Sequence, residues 1–176
     1  MASAPSHVAH DPALKGNRSL RAVPARQKSR RHLQAEGARY LGAVSIVLVG
    51  VVHAQQYYDA YFSVVPVIGT LFLLSFIGSG VVGAVLFAPV RRLGRNVGDL
   101  ILILAALGAI GIAAGSLVSL LISEYMPLFG FMESGYRLAI VLALLFDALT
   151  TLSLGIFVLI VAPQLLKTIK TERRAR

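Results

Sequence analysis

Four long apolar stretches alternate with short polar ones over most of the chain. They cover approximately residues 40–57, 62–88, 100–123 and 138–162. The third contains no ionisable side chain at all. A helix needs about 20 apolar residues to cross the hydrocarbon core of a bilayer, and inside the bilayer each segment must satisfy its own backbone hydrogen bonds. The pattern therefore predicts four transmembrane helices.

The polar connections between these stretches are short, at residues 58–61, 89–99 and 124–137. Short connections make sequential helices antiparallel neighbours. The predicted fold class is therefore all-α, an integral membrane four-helix bundle with up-down topology. The predicted domains are a disordered basic cytoplasmic tail, the transmembrane domain and a second basic cytoplasmic tail, over residues 1–38, 39–163 and 164–176.

The first tail is rich in Ala, Ser, Pro, Arg and His and has few large apolar side chains. Such a segment buries too little apolar surface to offset its ordering entropy. A short helix over 25–37 is compatible with its composition. Its positive charge either orients the first helix in the membrane or binds anionic lipid headgroups.

The distribution of basic residues predicts the orientation in the membrane. Of the 17 Lys and Arg side chains, sixteen lie before the first span, between the second and third, or after the fourth. Only Arg137 lies on the other side. Cytoplasmic connections carry the excess of Lys and Arg, so both termini are predicted to be cytoplasmic. The net charge of +9 is thereby accounted for without a nucleic-acid partner.

The composition and the absence of known motifs exclude several kinds of functional site. The chain is 56% hydrophobic and 14% charged and has no Cys, which excludes a disulfide framework and Cys-ligated metals. No HExxH motif, phosphate loop or G-x-S-x-G motif is present. The glycines of "GSGVVG", residues 78–83, lie inside a membrane helix and do not follow a strand. We therefore expect no enzyme activity, catalytic residue, cofactor or metal.

Small residues recur at helical spacing in two spans. Ser75, Ser79 and Gly83 lie four apart in the second span, as do Gly111, Gly115 and Ser119 in the third. Such faces let two membrane helices approach closely. The expectation is close packing, and the alternative is a pore lined by glycine.

Two ionisable side chains, His53 and Asp147, are predicted to lie deep in the bilayer. From the rise of about 1.5 Å per residue, their depths differ by about 5 Å. A carboxyl group at this depth is paired, protonated or functional. Thr150 and Thr151 are the expected hydrogen-bond donors to Asp147, and Gln56 or Tyr57 is the expected partner of His53. The candidate intramembrane polar site comprises His53, Gln56, Asp147, Thr150 and Thr151.

The order of features over residues 40–137 resembles a group of small four-helix integral membrane proteins of actinobacteria. The matching features are His53, the run "YFSVVPVIGTLFLL" at 61–74 and the run "LFGFMESG" at 128–135. Ser75 stands where such proteins often have Asn. The group has no assigned activity, so the resemblance implies only a location in the plasma membrane.

The first functional hypothesis is a structural or interaction component of the cell membrane. The alternatives are a small proton-coupled transporter that uses Asp147 and a quinone- or redox-associated subunit that uses His53. Expected partners are the lipid bilayer, with anionic headgroups at the basic tails, and either a second copy of the chain or another membrane protein.

Overall fold

The computed structural model describes the backbone of residues 13–59, 62–127 and 137–175, which is helical or in short turns throughout. The described α-helices are α1 (Ala13–Tyr58), α2 (Pro66–Phe87), α3 (Arg95–Tyr125) and α4 (Leu138–Arg174). Short 3-10 helices occupy Phe62–Val64 and Val90–Leu93.

Each α-helix contains a stretch that is long and apolar enough to cross a membrane. The four stretches are Ser29–Tyr58, Pro66–Phe87, Arg95–Tyr125 and Leu138–Arg174. The prediction of an all-α chain with four helices of transmembrane length is therefore confirmed. This pattern is typical of a multi-pass membrane protein.

The chain divides into two units, residues 1–33 and 34–176. In the first unit the backbone is helical from Ala13 onward, where the sequence predicted a disordered tail with at most a short helix. Good helix formers such as Ala, Arg, Lys and Gln supply this propensity. The second unit begins at residue 34, and Ala35, only 4% exposed, belongs to its hydrophobic core. The predicted domain boundary at residue 39 stays a prediction.

The last helix extends beyond residue 163, the predicted end of the transmembrane domain, and that boundary stays a prediction. Helix α4 continues through Pro163 to Arg174, and Leu165 is buried. Membrane helices tolerate an internal proline because neighbouring helices and local adjustments satisfy the freed backbone groups. The predicted tail is thus helical up to its last residues.

Helix α2 begins at Pro66 rather than at residue 62. Val65 precedes it in an extended conformation, and the proline occupies the first turn. A backbone N–H group in the first turn has no acceptor within the helix, so proline, which lacks that group, is tolerated there. The hydroxyl of Thr70 donates to the carbonyl of Pro66 at 2.6 Å. The run at 61–74 predicts that Pro66 lies in the first turn of the second helix, where proline is tolerated, and this prediction is confirmed. The 128–135 run of the resemblance lies outside the described residues.

Helices α1 and α2 pack closely through small residues. A Cβ atom added at Gly50 would lie 3.0 Å from Cβ of Ser79, and one added at Gly83 would lie 2.7 Å from Cγ2 of Val47. The two helices therefore run antiparallel at this contact, because the earlier residue of α1 meets the later residue of α2. The expectation of a closely packed small-residue face holds for Ser79 and Gly83.

Helices α2 and α3 touch over only part of their length. A Cβ atom at Gly78 would lie 3.0 Å from Cδ1 of Ile112, and one at Gly108 would lie 3.5 Å from Cγ1 of Val82. These contacts lie in the half of α2 that ends at Phe87. Toward Pro66, no described atom of another element comes within 4 Å of a Cβ added at Gly111 or Gly115. No described element of this chain therefore packs closely on these two glycines, and close packing at this face stays a prediction.

An ionic cluster joins three segments near the start of α3. Nε of Arg91 donates to Oδ1 of Asp99 at 2.6 Å, and the same guanidinium is paired with Glu36 on α1. Glu36 also pairs with Arg39 at 2.9 Å. Burial acts to lower the pKa of Arg91, but the hydrogen bonds with Glu36 and Asp99 outweigh it, and the pKa is raised.

Candidate functional site

A cavity of about 370 Å³ lies between the helices, in the half of the bundle where α2 and α3 separate. Ligand pockets of roughly 300–1,000 Å³ are typical of binding sites for small molecules. All four helices contribute to the walls, and most lining side chains are apolar. The polar lining comes from His53, Gln56, Ser75, Ser116, Ser119 and Ser123.

The imidazole of His53 is fixed at this wall by two hydrogen bonds and one ring contact. His53 is 5% exposed. Its Nδ1 lies 2.9 Å from the carbonyl oxygen of Val49, and its Nε2 lies 3.2 Å from Oγ of Ser116. The ring of Phe72 packs against it with centroids 5.2 Å apart. The expected bonding of His53 to Gln56 or Tyr57 is therefore wrong, since the backbone and α3 provide its partners.

Ser116 lies between His53 and Asp147. Its hydroxyl is 3.2 Å from Nε2 of His53, and its side chain is also close to the carboxyl group of Asp147. Asp147 is 1% exposed, so it faces the interior of the four-helix unit. The two ionisable groups that sequence reasoning placed at similar depth thus both lie near one serine. They come from α1 and α4, and the serine comes from α3.

The two threonines do not provide the expected bonds to Asp147. Thr150 is fully buried, but its Oγ1 and the Oδ1 of Asp147 find no hydrogen-bond partner among the described residues. Thr151 is half-buried and is not part of the cavity wall. Gln56 does line the cavity, and its amide donates to the side chain of Gln55 at 3.2 Å.

The cavity opens sideways between α2 and α3. Three lining residues of α3 on this side, Gly111, Gly115 and Ser119, are exposed. Leu71 of α2 is also exposed there. Since these positions lie within helices of transmembrane length, the opening faces the region that lipid chains occupy.

Sequence reasoning did not identify Ser116 or Phe72. Ser116 lies among Gly and Ala residues on α3. In such a sequence a serine is interpreted as one more small residue of a helix-packing face. A signal for it does exist, because Ser116, Ser119 and Ser123 follow the spacing of three and four residues that places side chains on one face of a helix. No comparable signal distinguishes Phe72 from other apolar residues of α2.

Comparison of the chain with protein-family models, with curated proteins and with solved structures finds no match. Among the residues that the structure describes, no group of three or more His, Cys, Asp or Glu side chains could hold a metal ion. The geometry of the cavity and of the polar side chains on its wall is therefore the basis for a functional proposal.

Proposed function

We propose that the chain is a multi-pass protein of the plasma membrane, an up-down bundle with both termini in the cytoplasm. The contacts of α1 with α2 and of α2 with α3 support antiparallel neighbours. On α3 and α4, Asn96 donates to Glu172 at 2.9 Å, which joins the start of α3 to the end of α4 and supports the same relation for this pair. The orientation rests on the excess of basic residues on one side.

The function that best fits the site is the binding of a lipid-soluble molecule with a polar head group. The observation that carries this proposal is the cavity itself, which combines an apolar lining with a few polar groups in its interior. A site of this composition binds ligands by apolar contact and orients them by a small number of hydrogen bonds. The sideways opening suits a ligand that arrives from the bilayer.

The ring contact at the cavity wall favours a flat head group. His53 and Phe72 present two neighbouring rings, and aromatic faces and edges interact favourably with another ring. Gln56 and Ser119 provide hydrogen-bonding groups on the lining. A quinone head, a flat ring that carries two hydrogen-bond acceptors, has the matching chemistry. This proposal develops the quinone-associated hypothesis that the sequence raised through His53.

Two glycines give a direct test of this function. Gly115 lines the cavity, and a Cβ atom added there meets no atom within 4 Å, so Gly115→Leu adds a bulky side chain at the cavity wall. Gly155 on α4 has the same open space but is not part of the cavity wall, so Gly155→Leu is the matched control. A short-chain quinone should raise the thermal midpoint of the wild type and the control in detergent.

In the same experiment, Gly115→Leu should lose this stabilisation, because ligand binding to the folded state is what raises the midpoint. Equal stabilisation of all three proteins would contradict the proposed site. The absence of stabilisation in the wild type would contradict the quinone as ligand.

A second candidate, a small proton-coupled transporter, is favoured by one observation. Asp147 is a buried carboxyl group within a helix of transmembrane length, and such groups often mark proton pathways. Counterflow of a labelled weak acid in proteoliposomes, driven by a pH gradient and abolished by Asp147→Asn, would support it. The hypotheses of a structural or interaction component, of a non-enzyme and of a homo-oligomer stay predictions.

A further inference from the structure

We propose that the cavity selects a head group that donates hydrogen bonds, so that it binds the reduced quinol form of a quinone more tightly than the oxidised form. This inference rests on the proposed function and concerns the same cavity. It follows from the hydrogen bonds that the polar lining side chains already make, because each bond determines whether a donor or an acceptor is left for a ligand.

His53 determines the hydrogen-bonding role of Ser116. A backbone carbonyl only accepts hydrogen bonds, so Nδ1 of His53, which lies 2.9 Å from the carbonyl oxygen of Val49, carries a hydrogen. His53 is 5% exposed and lies in a helix of transmembrane length, where a charged imidazolium is costly. In the neutral ring the other nitrogen, Nε2, has no hydrogen and is an acceptor.

Ser116 therefore presents an acceptor to the cavity. Its hydroxyl lies 3.2 Å from Nε2 of His53 and donates to that nitrogen, because Nε2 has no hydrogen of its own. A serine hydroxyl has one hydrogen and two lone pairs, so Ser116 has no second hydrogen for a ligand. Asp147, which is also close to Ser116, does not change this count. A ligand in the cavity meets a lone pair of the Ser116 oxygen.

Ser123 has the same role further along α3. It is 6% exposed, and its hydroxyl donates to the carbonyl oxygen of Leu120 at 2.8 Å. Its single hydrogen is thus bonded within the helix, and its oxygen is left as an acceptor on the cavity lining. Two serines of the lining therefore accept hydrogen bonds from a ligand and donate none.

Gln56 is a lining residue that can act in both ways. One amide hydrogen of Gln56 is bonded to the side chain of Gln55 at 3.2 Å, which leaves the second hydrogen and the side-chain oxygen for a ligand. A quinol hydroxyl both donates and accepts, so it can bond with Ser116 and with Gln56. A quinone carbonyl only accepts, so it can bond with the amide of Gln56 but not with the oxygen of Ser116.

The two forms of one ligand should therefore differ in affinity. They share the ring, the tail and the apolar contacts, and they differ mainly in the hydrogen bonds of the head group. An acceptor that faces another acceptor in a buried site loses its water and gains no hydrogen bond. One net hydrogen bond corresponds to roughly 3- to 10-fold in affinity, and the quinol should bind more tightly by this factor.

The test is titration calorimetry of the wild type in mild detergent, without oxygen, with three probes. These are a short-chain quinol, the corresponding quinone and the dimethyl ether of the quinol, which keeps the flat ring but has no hydrogen to donate. The quinol should bind most tightly, with the quinone and the ether weaker by roughly 3- to 10-fold. Binding of the quinone or the ether that equals or exceeds that of the quinol would overturn the inference.

His53→Phe tests the origin of the preference. This variant keeps a ring against Phe72 but removes Nε2, so the hydroxyl hydrogen of Ser116 is free to turn toward a ligand. The ratio of the quinone and quinol dissociation constants should fall toward one. Because this ratio is compared between proteins in the same detergent, partitioning of the probes into micelles cancels.

The matched control is Tyr57→Phe, since Tyr57 lies on the same helix but is not part of the cavity wall. This control should keep the ratio of the wild type. A ratio that stays at the wild-type value in His53→Phe would overturn the inference.

The tautomer of His53 gives a second measurement that needs no ligand. Solid-state NMR of the ¹⁵N-His-labelled protein in lipid vesicles should show hydrogen on Nδ1 of His53 and none on Nε2. His53→Phe assigns the two signals by their loss. Hydrogen on Nε2 would overturn the inference even in a protein that binds quinone.

These outcomes separate the inference from the proposed function. Quinone and quinol that bind equally to the wild type, and bind more weakly to Gly115→Leu, would support the cavity and contradict only the preference. Failure of all three probes to bind would contradict the proposed function and the preference together.

Discussion

The guanidinium of Arg91 donates through Nε to the carboxylate of Asp99 at a distance of 2.6 Å. This bond fixes the turn before α3 to the first turns of that helix. Gly98 makes the close approach possible, because a Cβ atom there would lie 2.5 Å from Cα of Arg91. The same guanidinium is paired with Glu36 on α1, so one side chain holds three segments of the bundle together.

Arg91→Ala should therefore destabilise the protein. Asp99, whose side chain is 11% exposed, would lose its cation, and Glu36 would keep only Arg39. We expect a loss of about 1–2 kcal/mol, between the values typical of exposed and of fully buried pairs. Thermal unfolding in mild detergent measures the effect. Arg92→Ala is the matched control, because Arg92 is exposed. Equal stability of the two variants would contradict the role of the cluster.

The close packing of α1 and α2 gives a second prediction. Gly83→Leu places a side chain against Val47, whereas Gly80→Leu on the same helix projects into open space. Overpacking typically costs about 1–3 kcal/mol, so Gly83→Leu should lower the thermal midpoint and Gly80→Leu should not. A midpoint unchanged by Gly83→Leu would show that the two helices separate at no cost.

Much of the fold could be predicted from the sequence, because membrane insertion is governed by the length and apolarity of each segment. The place of Pro66 in the first turn of α2 followed from the constraint on proline, although the predicted apolar span began at residue 62. The pairing of Glu36 could not be predicted, because its partner Arg91 is distant in sequence. A local sequence rich in charged residues predicts a solvated tail, even where an ion-pair partner for one of these residues lies elsewhere in the chain.

The site was only partly predictable for a related reason. His53 and Asp147 stand out because charge is costly inside a bilayer. Ser116 carries no charge, so nothing in the sequence links it to either residue. The cavity arises because α2 and α3 separate beyond Gly78, which is a property of the arrangement of helices. Hydrophobic patterning does not encode that separation, and the same glycines would serve a tight interface equally well.

Deletion of residues 2–30 should leave the thermal stability of the transmembrane unit nearly unchanged. These residues lie within the first of the two units of the chain, and the deletion retains Arg30, Arg31 and Arg39 to orient α1. Thermal unfolding of the truncated and full-length proteins in the same detergent provides the comparison. A large drop in the midpoint would mean that this segment stabilises the bundle.

The proposed topology predicts a pattern of chemical labelling. The chain has no Cys, so single cysteines report one position each. Those at Ser6, Arg92 and Thr171 should be shielded from an impermeant thiol reagent in intact cells. Cysteines at Asp59 and Ser134 should react. Labelling at Arg92 without labelling at Ser134 would show that the orientation in the membrane is the opposite of the proposed one.

The most direct test of a ligand-binding cavity is photolabelling in native membranes with a photoreactive short-chain quinone, followed by peptide mapping. The account predicts cross-links to α2 around Phe72 and to α3 around Ser119. Gly115→Leu should abolish them, and Gly155→Leu should leave them unchanged. Cross-links that persist in Gly115→Leu, or that spread over exposed leucines of α4 such as Leu152 and Leu159, would contradict the cavity as the binding site.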